Sequence, residues 1–306
     1  MSVLAIDLGG TRLRLALFRE RGAPPVRVAR LPTRPEEGFE RVLDRIATAA
    51  RELLGGEPIA GAGLAAPGPL DPRSGVLLRP PNLRGWPAEA PIGAALSERL
   101  GAPVIVDNDA NLAALGEWQA GAGRGVDDLV YFTVSTGIGG GIIVGGRLLR
   151  GVHGYAGELG HLLIEADGPP CLCGGRGCLE TLASGTAIAR LARERLAAGE
   201  PSRLTPDATA ADVFAAAAAG DRLAAAVVER AMWRLGMGVV NALHLFDPAL
   251  VILGGGVTNA GRLVFDPVER AVVRLAMPAF RQTPVVRAAL GDDAGLYGAA
   301  ALAFGP

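Results

Sequence analysis

Val3-Leu4-Ala5-Ile6-Asp7-Leu8-Gly9-Gly10-Thr11-Arg12-Leu13-Arg14-Leu15-Ala16-Leu17 stands near the start of the chain. An apolar run meets Asp7 and a glycine pair, after which Leu13, Leu15 and Leu17 alternate with Arg12 and Arg14. That spacing predicts a buried strand, a turn and a half-exposed strand, and so an antiparallel hairpin. The order returns at Leu129: a strand through Val134, a glycine-rich turn over Thr136 to Gly141, and a strand from Ile142 to Val144. A further strand, Leu250 to Leu253, ends in Gly254-Gly255-Gly256. Two halves that each begin strand, glycine turn, strand imply an internal duplication of fold.

Between these landmarks, Thr33 and Glu36 have capping-box spacing ahead of a helical pattern carrying Phe39, Val42, Leu43 and Ile46. Ile59 to Ala66 reads as a buried strand. Pro80 to Pro87 is too rich in proline for a helix and is expected as a surface loop. The strand Val104 to Val106 hands over to Asp107-Asn108-Asp109, where a helix from Ala110 to Trp118 begins. Helix dominates from Ala183 to Phe246, and a last apolar helix runs from Ala294 to Phe304. The expected architecture is α/β, in two lobes with a central cleft. Residues 1–115 form the smaller N-terminal lobe, completed by a C-terminal helix at 293–306, and residues 116–292 form the larger lobe.

Length and composition narrow the functional classes. With 306 residues, half of them hydrophobic, the chain has material for about two domains with real cores. Thirty basic residues balance thirty-one acidic ones, with no block of like charge, so nucleic acid is not the expected partner. Every basic residue is Arg, and without a single Lys neither a P-loop NTPase nor a Schiff-base enzyme is possible. The N-terminus lacks the basic start and apolar core of a signal peptide. Polar residues and glycines break the uncharged stretch 129–146, so no membrane span is expected. The three cysteines sit in one short segment rather than in a disulfide framework. A reducing, cytoplasmic setting is the reading.

The chemistry-bearing residues fall into three groups. Gly9 and Gly10 allow backbone N–H groups to approach a phosphate, and Asp7 beside them suits Mg²⁺; a plain hairpin turn would use the same residues. The Thr136 turn and Gly254 to Gly256 add two more junctions of strand and glycine. Together the three look like the phosphate loops of an actin-like ATPase (ribonuclease H-like) fold, with phosphates held by backbone amides and Mg²⁺ in place of a lysine. Asp109 lies where strand gives way to helix. There it would either cap the helix or accept the proton of an attacking hydroxyl.

Glu158-Leu159-Gly160-His161, followed by Cys171-Leu172-Cys173-Gly174-Gly175-Arg176-Gly177-Cys178-Leu179-Glu180, is the most specific signal. His161, Cys171, Cys173 and Cys178 have the composition of a tetrahedral Zn²⁺ site within segment 161–178 of the larger lobe. Four protein ligands leave no open position, so the metal is structural and fixes Glu158 and Glu180 on either side of it. Paired carboxylates suit sugar hydroxyls. A glycosidase using both as its acid/base pair would leave the phosphate loops without purpose.

The combination DLGGTR, VDNDAN, VSTGIGGG and ELGH followed by CLCGGRGCLE resembles the ROK family of bacterial sugar kinases and repressors, and within it the glucokinases. The motifs extend from Asp7 to Gly256. The resemblance implies ATP-dependent phosphorylation of the 6-hydroxyl of a hexose, glucose first and an N-acetylhexosamine as the alternative. By matching positions, Asp109 is implied as the general base. Asn82, Asn108, Asp109, Glu158, His161 and Glu180 are implied at the sugar. Asp7 is implied for Mg²⁺; Gly9, Gly10, Thr11, Arg12, Thr136, Gly137 and Gly139 for the phosphates; and Gly254, Gly255 and Gly256 for the adenosine. Arg12 stands where the family usually has Lys. The family's repressors carry a helix-turn-helix domain ahead of the phosphate motif, which is not expected here because Asp7 comes so early. A homodimer or homotetramer is what the family leads one to expect.

Overall fold

The computed structural model describes residues 1–80, 83 and 85–305. Asn82, one of the residues implied at the sugar, lies outside them. The chain divides into two compact units. The first comprises residues 1–125 and 148–156 and is completed from Ala289 onward; the second comprises residues 126–147 and 157–288.

The first unit is built on a five-stranded sheet. Its strands are β1 (Ser2–Leu8), β2 (Arg12–Phe18), β3 (Arg27–Pro32), β4 (Ile59–Ala66) and, after a small antiparallel sheet of β5 (Leu70–Asp71), β6 (Val76–Leu78) and β7 (Glu89–Ala90), β8 (Val104–Asn108). The order is β3-β2-β1-β4-β8. The expected hairpin is β1–β2, with Asp7 opposite Arg14, and β1, β4 and β8 run parallel. Side chains alternate across β1. Leu4, Ile6 and Leu8 pack with Val42, Leu43 and Ile46 of α1 (Phe39–Leu54) and with Ile92 and Leu96 of α2 (Ile92–Leu100). Val3 and Ala5 face Leu112 of α3 (Asp109–Ala120) and Leu296, Ala299 and Ala300 of the C-terminal helix, Ala294–Ala303.

On that second face the backbones nearly touch. A Cβ on Gly63 would overlap the backbone of Ala299, one on Gly116 that of Ala294, and one on Gly298 that of Leu112. The C-terminal helix is therefore set into the first unit by glycines at three crossings, which gives its small apolar residues a packing role.

The capping box expected at Thr33 and Glu36 does not form. Residues Pro35–Glu37 make a short 3-10 turn, and α1 starts behind Gly38 without a side-chain cap. Thr33 is fully buried; its hydroxyl donates to the carbonyl of Gly9 at 2.6 Å, and its N–H to the carbonyl of Thr11 at 3.0 Å. A long-range turn contact has taken the residue that local spacing assigned to a helix.

The second unit repeats the sheet with β9 (Leu129–Val134), β10 (Ile138–Val144), β11 (Arg147–Leu148), β12 (Leu250–Gly254) and β13 (Val285–Arg287). The order β11-β10-β9-β12-β13 matches the first sheet position for position, with a hairpin on one side of the founding strand and two parallel strands on the other. Its helices are α4 (Leu179–Ala183), α5 (Gly185–Ala197), α6 (Ala210–Ala218), α7 (Arg222–Phe246) and α8 (Arg262–Leu275). The glycine turn expected over 136–141 is shorter: Gly139, Gly140 and Gly141 already belong to β10, opposite Thr133, Phe132 and Tyr131. A side chain at Gly140 would overlap Leu159, so this glycine makes room for the chain packed across the strand. Among the described residues no helix is long and apolar enough to cross a membrane.

Two stability measurements follow. Gly298→Ala forces a methyl group into the backbone of α3 and should cost about 1–3 kcal/mol, lowering the melting temperature by several degrees. Gly256→Ala, where a Cβ meets nothing within 4 Å, is the neutral control. Asp221 caps α7, accepting the N–H of Ala224 at 2.9 Å, the N–H of Arg203 at 2.7 Å and the hydroxyl of Ser202 at 2.9 Å. The two backbone bonds hold its carboxyl below the ordinary aspartate range. Its contribution is therefore complete above the unfolded value of about 3.9 and is lost as pH falls through the lower folded value. Asp221→Ala should cost about 0.5–2 kcal/mol at neutral pH, and melting curves of variant and parent should converge on acidification.

Candidate functional site

In the first unit the implied residues gather at the carboxyl ends of the parallel strands, where open α/β sheets bind ligands. Register aligns Asp7 of β1 with Ala65 of β4, and Ala65 with Asp107 of β8. Asp7 is buried and forms an ion pair with Arg14, its partner across the hairpin. Burial raises its carboxyl above the ordinary range, outweighing the opposite pull of Arg14. The Arg14 guanidinium also donates to the Asp292 carbonyl and lies 3.6 Å from the Asp293 carboxylate, at the start of the C-terminal helix. Arg14 was not among the residues singled out from the sequence, although hairpin register alone sets it opposite Asp7. Gly9 and Gly10 are half-buried in the turn, closed by the Gly9 N–H to the Arg12 carbonyl at 2.9 Å; Thr11 and Arg12 are exposed.

The three polar residues at the end of β8 take different parts. Asn108 caps α3, its side-chain oxygen accepting from Ala110 N–H at 2.9 Å and Asn111 N–H at 3.3 Å. Asp107 is buried, accepting the Asn108 N–H at 2.8 Å, the Asn111 side-chain amide at 3.1 Å and Arg150 Nε at 2.7 Å. Asp109 begins the helix and is exposed, with one carboxylate oxygen on the Ala110 N–H at 2.8 Å. The capping role thus falls to Asn108 and the structural ion pair to Asp107. Asp109 remains the carboxylate open to solvent.

In the second unit Leu159–His161 form a single 3-10 turn laid across β10, and Gly160 makes this possible, since a Cβ there would overlap the Ile138 carbonyl. His161 Nδ1 faces Cys171 Sγ at 3.5 Å, and Cys173 Sγ lies 3.7 Å from Cys178 Sγ. One donor atom from each of the four residues lies within 4.8 Å of all the others. Zinc–sulfur bonds of about 2.3 Å in a tetrahedron set sulfurs about 3.8 Å apart, so the spacing fits such an ion. The backbone holds the arrangement in place: Cys171 N–H donates to the Gly175 carbonyl at 2.8 Å, and Gly177 N–H to the Pro169 carbonyl at 2.8 Å. Gly177, at φ +63°, passes so close to the Glu165 carbonyl that a side chain would not fit. Glu165 in turn pairs with the buried Arg234 of α7, Nε to Oε1 at 2.7 Å.

The two carboxylates beside this cluster are held differently. Glu158 is half-exposed, its Oε2 3.9 Å from His161 Nε2. Burial raises its carboxyl above the ordinary range; His161 draws it back, and the like charge of Glu180 adds to the rise. Glu180 sits in the first turn of α4 and accepts the Ile138 N–H at 2.9 Å. A Cβ on Gly137 would strike the Glu180 carboxylate, so this glycine, implied for phosphate, is also what admits the carboxylate to the backbone.

A cavity of about 640 Å³ opens within the second unit. Its lining includes Ser135 and Thr136 of the turn, Thr186 and Arg193 of α5, Phe214 of α6 and Gly256. The volume falls in the usual range for small-molecule sites, about 300–1,000 Å³. The turn is tied to α5 by Gly185 N–H to the Ser135 carbonyl at 2.8 Å and by the Thr186 hydroxyl to the Thr136 carbonyl at 2.8 Å. Gly256 faces the cavity, whereas Gly254 and Gly255 are set against Tyr131 and the Val134 backbone, where side chains would collide. The sequence did not single out Thr186, Arg193 or Phe214. Thr186 stands in the first turn of α5, Arg193 farther along it and Phe214 within α6, and no local spacing marks them.

Comparison with known proteins agrees over the whole chain. The sequence model of the ROK family matches residues 3–305. The chain is 40% identical over 313 residues to a glucokinase of Thermotoga maritima, covering 99% of this chain and 97% of the other. It is 37% identical to an N-acetylmannosamine kinase of Citrobacter koseri, covering 100% and 99%. The crystal structure of a ROK family glucokinase from Streptomyces griseus in complex with glucose and AMPPNP aligns with a TM-score of 0.84 at 35% identity, covering 100% of both chains. With the duplicated sheets, this likeness identifies the actin-like ATPase fold.

The donor cluster yields a direct test. Metal analysis of the purified protein should find one zinc per chain, and a strong chelator should lower the melting temperature of the second unit. Cys178→Ser should lose the zinc and lower that melting temperature at once. Removing a ligand leaves three donors where structural zinc takes four.

Proposed function

The chain belongs to the ROK family, and we propose that it is a glucokinase, transferring the γ-phosphoryl group of ATP to the 6-hydroxyl of glucose. One observation carries the reading: the four-donor cluster holds Glu158 and Glu180 beside it, in a chain that aligns from end to end with glucokinases. A site of fixed carboxylates and an imidazole discriminates among sugars because an analogue lacking a hydroxyl leaves a partner desolvated by the bound sugar without its hydrogen bond.

Each residue then has a chemical part. Glu158, Glu180 and His161 Nε2 take hydroxyls of the sugar ring, with Asn108 adding its side-chain amide. Asp109 accepts the proton of the 6-hydroxyl as the bond to phosphorus forms. The exposed position of Asp109 at the start of α3 supports that part. The cavity beside Thr136 and Gly256 takes the nucleotide, with backbone N–H groups of the glycine turns available to its phosphates. His161, Cys171, Cys173 and Cys178 would hold zinc, which supplies rigidity and no open coordination position. Asp7, shared with Arg14, is the carboxylate that would hold the magnesium of MgATP, which would neutralise phosphate charge. Phosphoryl transfer passes through a loose transition state, so alignment and charge stabilisation supply most of the rate.

The similarity to the N-acetylmannosamine kinase favours one alternative substrate, and a single assay separates the two. ADP release is measured with MgATP and a panel of glucose, mannose, fructose, N-acetylglucosamine and N-acetylmannosamine. Glucose should give the highest kcat/KM, and turnover of none of these sugars would end the kinase reading. Asp109→Asn should lower kcat by about 10²–10⁴-fold while glucose binding, followed by calorimetry, persists. Near-normal turnover in that variant would remove the base assignment.

A further inference from the structure

Two features of the first unit have no part in the reaction just described: the buried Asp107–Arg150 pair and the cavity of about 600 Å³ that both residues line. Asp107 is 1% exposed, and the bonds to its carboxylate come from its own strand end and from the distant Arg150. One oxygen accepts the Asn108 N–H at 2.8 Å and the Asn111 amide at 3.1 Å; the other accepts Arg150 Nε at 2.7 Å. Asn111 confirms the arrangement by what it lacks. Its side-chain oxygen is buried without a partner, an orientation that only a carboxylate accepting from the opposite end of the amide makes worthwhile.

Arg150 belongs to the segment 148–156, with which the chain re-enters the first unit for nine residues before leaving it again. The Arg150 carbonyl accepts the Ala156 N–H at 3.0 Å, closing this return into a loop. Two residues beyond Ala156 comes Glu158, and three further on His161. Asp107 therefore grips, through its own backbone neighbour, the strand end that carries Asn108 and Asp109. Through Arg150 it also grips the loop 148–156 of the same unit.

We propose that Asp107 and Arg150 form a positioning pair that sets the register between the end of β8, which carries Asn108 and Asp109, and the loop 148–156 of the same unit. Neither touches a reacting atom. The pair fixes where two short connections begin, and a displacement of about 1 Å at a reacting group is enough to cost about a hundredfold. Its charged form has a specific advantage: a guanidinium is always protonated, so the register holds across the working pH range. The proposal rests on the assignment of Asn108 and Asp109 to the hexose in the functional reading above.

The cavity makes the pair testable by chemical rescue. Arg150 is 38% exposed at its side chain and borders that cavity, so truncation leaves a hole that a free guanidinium ion can enter. Arg150→Ala should raise the KM for the hexose at least tenfold and leave the KM for MgATP within twofold, because the cavity assigned to the nucleotide lies in the second unit. Guanidinium chloride at low millimolar concentration should recover much of the loss in the variant and none in the parent. Calorimetric titration of the hexose gives the same comparison without turnover. Arg150→Gln, which loses the charge but keeps a polar amide, is the second variant and must show the same split. An unchanged hexose KM overturns the proposal. So does a loss shared equally with MgATP, or a folded variant that guanidinium does not rescue. A parent enzyme that phosphorylates no hexose instead overturns the functional reading itself, and the two failures are distinguishable.

Discussion

Four consecutive residues of the second unit, Ser135 to Ile138, bear a constraint on which the surrounding site depends. The carbonyls of Ser135 and Thr136 receive the first N–H groups of α5, and the Ile138 N–H is taken by the Glu180 carboxylate across the space left by Gly137. Helix α5, the turn and Glu180 are thereby locked together with no intervening side chain. Glu180 follows Cys178 by two residues, so the donor cluster fixes the same knot from its other end. What the glycine turn and the Glu180 carboxylate have in common here is one hydrogen bond of 2.9 Å.

The sequence was most legible where chemistry is tied to short spacing. The His and three Cys within segment 161–178 leave few arrangements other than a common point, and their donor atoms do converge. The two hairpins and the duplicated strand order followed from apolar runs broken by glycine. Legibility failed where a distant partner decided the matter. Thr33 had the local signature of a cap, but the Gly9 carbonyl claimed its hydroxyl. Gly139 to Gly141 looked like a turn, yet they are strand residues kept small by the chain packed over them. The lining of the nucleotide-sized cavity comes from the turn at Ser135 and Thr136, from α5 and α6 and from the 3-10 turn Gly256–Ala260, and no one-dimensional pattern announces that assembly.

The two sheets share strand order but divide the work unevenly. In the first, the end of the outermost parallel strand carries Asp107, Asn108 and Asp109, three polar residues with three separate duties. In the second, the polar work has moved off the parallel strands and into the connection after the hairpin, where the cysteine segment and α4 are inserted. Duplication supplied two equivalent frameworks. Specialisation came from what was added between strands.

The C-terminal helix has a consequence of a different kind. It fills one face of the first sheet through contacts at Gly63, Gly116 and Gly298, yet the ribosome delivers it only after every residue of the second unit has been synthesised. Domains usually fold in the order in which they emerge. Here the half that begins first must finish last, with an apolar sheet surface left bare for the duration of translation, and a nascent chain stalled before Ala294 would display that surface to chaperones and proteases.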